Sequence, residues 1–115
     1  MNHSEPAYAA QALSIVRGIP LDQEPGLGAL TIGGYLREVT RRHAGREALV
    51  LTQPSGERVS WTYDELWTRS VEVAKALIAA DAGKGTRVGL LMTNRPEYIS
   101  CLFGIALWLL RQRDE

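Results

Sequence analysis

The sequence has one cysteine and two histidines in 115 residues, and each scarcity narrows the chemistry open to it. Cys101 has no second thiol with which to staple the fold or form a CxxC site, so the chain is compatible with a reducing cytoplasm, where we expect it to reside. Placed within an apolar run, Cys101 is expected to pack as a small hydrophobe. His43 lacks a Cys, Asp or second His at ligand spacing, and it reads as a solvated last-turn residue of a helix. An excess of charge is also missing. Thirteen basic and thirteen acidic residues cancel, and no Lys/Arg cluster stands out, which disfavours partnership with nucleic acid or an anionic membrane. The first six residues carry no positive n-region, so no signal peptide is expected. The longest apolar stretch, residues 98–110, is too short to span a bilayer, so no transmembrane segment is expected.

What is present describes one modest domain, with 45% hydrophobic and 23% charged residues. Residues 1–30 form a lead segment holding Pro6, Pro20 and Pro25, with a short helix expected over 9–16. Its Gly26-Leu27-Gly28 is not a dinucleotide loop, because Thr31 stands where the third glycine belongs and no strand precedes it. The folded domain is assigned to residues 31–115. A helix begins at the N-cap Thr31, with Ile32, Tyr35, Leu36 and Val39 as its apolar stripe, and ends at Gly45. Arg37, Arg41, Arg42 and Arg46 suit its carboxyl end and outer face.

Two short strands follow, 48–52 and a second carrying Val59 and Trp61 on one face, joined by Pro54-Ser55-Gly56 as a β-hairpin. The period changes over residues 60–66. Thr62 and Glu65 form a capping box, and Trp61 and Leu66 are placed to close as a hydrophobic staple. The helix this starts is expected over 63–82, burying Tyr63, Leu66, Trp67, Val71, Ala74, Leu77 and Ile78, with Gly83 as its stop. Gly83-Lys84-Gly85-Thr86 is too short for a phosphate loop and follows a helix, so it reads as a turn.

Residues 88–92 are apolar without alternation, as in a strand covered on both faces, and the order strand, helix, strand predicts a right-handed βαβ unit. Thr93-Asn94-Arg95-Pro96-Glu97 opens the last helix, with Asn94 or Arg95 as cap and Pro96 in the first turn. Ligands in α/β folds gather at strand carboxyl ends, so a site would begin in this loop. The helix over 96–110 is apolar nearly all round and is expected to be buried on every side or to self-associate.

Taken together, Trp61-Thr62-Tyr63-Asp64-Glu65-Leu66 and the run from Arg87-Val88-Gly89-Leu90-Leu91-Met92 to Thr93-Asn94-Arg95-Pro96-Glu97-Tyr98 resemble the amino-terminal portion of adenylate-forming enzymes. Acyl-CoA synthetases are the most similar. The resemblance spans about residues 30–107 and rests on order and spacing more than on either motif alone. It implies an α/β fold, the partial amino-terminal domain of such an enzyme, with a β-hairpin, a βαβ unit and packing helices. It implies activation of a carboxylic acid by Mg-ATP to an acyl-adenylate, then thioester formation on CoA. The family's phosphate loop and catalytic lysine have no counterpart in these residues, so no catalytic, cofactor-binding or metal residue is assigned. Two functions follow: a piece of an acyl-CoA synthetase-like ligase, inactive alone and lacking its carboxyl-terminal remainder, or a free-standing interaction or dimerisation module acting through the 96–110 helix.

Overall fold

The computed structural model describes residues 14–23 and 31–113. The described elements are a single 3-10 turn at Leu21–Gln23, then α1 (Ile32–His43), β1 (Glu47–Thr52), β2 (Arg58–Thr62), α2 (Tyr63–Ala79) and α3 (Pro96–Arg113). Most of the expected 9–16 helix and the whole Gly26-Leu27-Gly28 stretch lie outside the described residues, and no helix forms over 14–16.

Local chemistry sets most element ends. Thr31 caps α1, its hydroxyl accepting from the Gly34 N–H at 3.0 Å. Thr62 caps α2 with both halves of the box in place: the Glu65 N–H donates to Thr62 Oγ1 at 3.1 Å, and the Thr62 N–H donates to Glu65 Oε1 at 3.0 Å. The stop of α2 differs from expectation. Asp81, at φ 66°, takes the left-handed position, with the Asp81 N–H bonded to the Ile78 carbonyl and the Ala82 N–H to that of Leu77. That pair of bonds is a Schellman closure, and it ends the helix before Gly83 is reached. Asp tolerates this backbone better than most side chains do, which is why a glycine was not needed.

β1 and β2 pair antiparallel, with Leu49 opposite Trp61 and Leu51 opposite Val59, and a register irregularity between Glu47 and Leu49. Their inner face meets α1 and α2 in a cluster of Leu36, Trp61 and Leu66, flanked by Ala48, Leu49, Val59, Trp67, Ile99 and Phe103. The staple residues Trp61 and Leu66 are thus both buried. Burying each such side chain is worth roughly 1.5–3 kcal/mol.

The mixed α/β character and the hairpin agree with expectation, but the βαβ unit does not form among the described residues. The only sheet there is the two-stranded β1-β2 hairpin. Residues 86–93 run without regular structure, and Leu91 is fully exposed. A strand is defined by its ladder, and no neighbouring strand is in place to provide one.

Helix packing corrects two further expectations. On α1 the buried residues are Gly33, Gly34, Leu36 and Thr40, whereas Ile32 and Tyr35 are exposed. The reason is a close helix crossing: a methyl placed on Gly33 would sit 3.0 Å from Leu107 Cδ2 and 3.5 Å from the Ala106 carbonyl oxygen. Each of the two glycines costs helix propensity, about 1 kcal/mol, and Gly33 here permits close contact with α3. On α3 the buried residues are Pro96, Ser100, Gly104 and Trp108, one every four positions. Gly104 marks the crossing with α2, where a methyl on it would fall 2.5 Å from Val73 Cβ and 2.8 Å from the Ser70 carbonyl oxygen. Ser70 is fully buried, and its hydroxyl donates to the Leu66 carbonyl at 2.7 Å. Leu102 and Leu109, at 45% and 51% exposure, lie outside, so α3 is not buried on every side.

Candidate functional site

The loop in which a site was expected to begin forms one wall of an open cleft of about 610 Å³. The other wall is the far end of the hairpin. Leu51, Thr52, Gln53, Pro54 and Val59 face residues 93–97 across it. A narrower extension of about 120 Å³ continues past Leu49, Val50 and Ile99.

Each wall is built by short-range rules. Pro54 presets φ at the second position of a turn that the Gly56 N–H closes onto the Gln53 carbonyl at 2.8 Å. Gly56 follows at φ 90°, and the Gln53 N–H returns to the Glu57 carbonyl at 2.8 Å. On the opposite wall Pro96 is the first residue of α3, where its missing N–H leaves no bond unmade. The Tyr98 N–H bonds the Arg95 carbonyl at 2.9 Å, and Arg95 Nε donates to Glu97 Oε1 at 2.9 Å. The Glu97 carboxyl is held below the usual carboxylate range, first by the backbone N–H of its own residue at the helix start and then by the Arg95 hydrogen bond. Arg95 and Glu97 therefore remain paired as the pH falls into that range.

The lining thus combines neutral hydrogen-bonding groups from Thr52, Gln53, Thr93 and Asn94, an internally matched ion pair, and apolar surface from Leu51, Val59 and Pro96. This set can hold a polar group by hydrogen bonds. It offers no matched acid and base for proton transfer among its lining residues.

The other residues singled out in the sequence lie away from the cleft lining. His43 packs at a tilt against Tyr63, ring centroids 6.4 Å apart. Cys101 is half-buried on α3. The 83–86 stretch is a turn, as expected: the Thr86 N–H donates to the Gly83 carbonyl at 3.0 Å and the Gly83 N–H to Thr86 Oγ1 at 3.1 Å, with Gly85 at φ 91°. Its ends are bonded to each other, so it does not fit the phosphates of ATP. Among the described residues no three His, Cys, Asp or Glu side chains group to hold a metal ion such as magnesium. No described helix is long and apolar enough to cross a membrane.

Two features escaped the sequence. One is the meeting of the 53–54 turn with the 93–97 loop, which are forty residues apart and carry no pairing signal. The other is Arg69, whose guanidinium lies 4.4 Å from the centroid of the Trp61 ring. On the basis of helical spacing alone, Arg69 is a partner for Glu65, whereas an aromatic face attracts the same cation.

A family model described as AMP-binding enzyme matches residues 36–108, which include the hairpin, all of α2 and the 93–97 loop. Over 96 residues the chain is 36% identical to an acyl-CoA ligase sidI of Beauveria bassiana, a stretch covering 84% of this chain and 16% of that protein. Over 110 residues it is 35% identical to an acyl-CoA ligase sidI of Aspergillus fumigatus, covering 92% of this chain and 17% of that protein. An acyl-CoA ligase SID4 of Ajellomyces capsulatus is 31% identical over 94 residues, with 82% of this chain and 15% of that protein covered. The chain spans about a sixth of the length of these curated relatives. No solved structure matches it significantly.

Proposed function

Because the chain belongs to the AMP-binding enzyme family, we propose that it corresponds to the amino-terminal part of an acyl-CoA ligase and is inactive by itself. The observation that carries this reading is the continuous family match from residue 36 to residue 108, together with alignment to acyl-CoA ligases over 84% and 92% of the chain. The complete reaction would activate a carboxylic acid with Mg-ATP to an acyl-adenylate and then transfer the acyl group to the CoA thiol. Within these residues the contribution is a scaffold: a capped helix and a hairpin that hold the 93–97 loop in place. The lone, half-buried Cys101 is in keeping with a reducing cytoplasm.

The test is acid-dependent exchange of pyrophosphate into ATP by the purified chain. We expect none, because the 83–86 turn is closed on itself and no other Gly-rich lysine loop occurs in the sequence. Clear exchange above a buffer control would overturn the reading. A second reading, an interaction module, is favoured by the exposure of Leu102 and Leu109 on α3. It requires no nucleotide, and a saturable partner of fixed stoichiometry would support it.

A further inference from the structure

We draw no further inference here: the strongest candidate, the apolar groove of about 150 Å³ where Thr31 and Ile32 at the start of α1 meet Ala106, Leu109 and Leu110 on the carboxyl-terminal half of α3, is an unpartnered face, and nothing in the structure shows what covers it.

Discussion

The Thr62 hydroxyl accepts from one backbone N–H and the Glu65 carboxylate from another, so two donors at the start of α2 depend on two side chains. Thr62→Ala should lower stability by about 1 kcal/mol, the usual cost of an N-cap. Denaturant unfolding measures it, and an unmoved midpoint would mean that the helix start is held by other contacts. At the opposite end, Asp81 shows how a residue can serve without matching the commonest pattern. Gly83 carries the stronger stop signal, but the left-handed turn falls two residues earlier, where the hydrogen bonds of the final turn close. Glu47 behaves similarly on the hairpin. Hydrogen bonds from Arg58 and then Ser60 lower its carboxyl below the usual range, and the same contact raises Arg58.

At the scale of elements, the α2–α3 crossing is set by volume rather than by polarity. The buried positions of α3 include a serine and a glycine while two leucines face outward, because close approach requires small residues where the backbones meet. Gly104→Ala adds a methyl against the branch point of Val73 and a backbone oxygen, neither of which is the movable end of a side chain. The substitution should destabilise by about 1–3 kcal/mol, although alanine favours a helix by about 1 kcal/mol over glycine. A midpoint raised by Gly104→Ala in denaturant unfolding would show that propensity wins and that the crossing is looser than its geometry.

For the whole molecule, the distribution of buried surface separates replaceable side chains from essential ones. Phe103 packs against the Leu36, Trp61 and Leu66 cluster, and Leu107 sits over Gly33, so neither belongs to a free face of α3. Replacing Leu102 and Leu109 together by Lys should leave the melting transition within about 0.5 kcal/mol and improve solubility, as surface changes do. Phe103→Lys should destabilise by about 2 kcal/mol or more, because it replaces a partly buried aromatic packed on the core by a charged side chain. Circular dichroism through a thermal scan distinguishes the two; an unmoved transition in Phe103→Lys would place that side chain outside the packing. What the sequence by itself determined were the features governed by residues within about four positions of one another: both N-caps, the Pro54 to Gly56 turn, the 83–86 turn and the register-setting alternation of Val59 and Trp61. The family was legible for a similar reason, since ordered local motifs survive as a string. Only the tertiary structure decided which faces of α1 and α3 turn inward, that the 53–54 turn meets the 93–97 loop, and that residues 88–92 pair with no strand among the described residues. These depend on which distant surfaces approach most closely, and hydrophobic periodicity records how apolar a face is, not how near a neighbouring backbone can come.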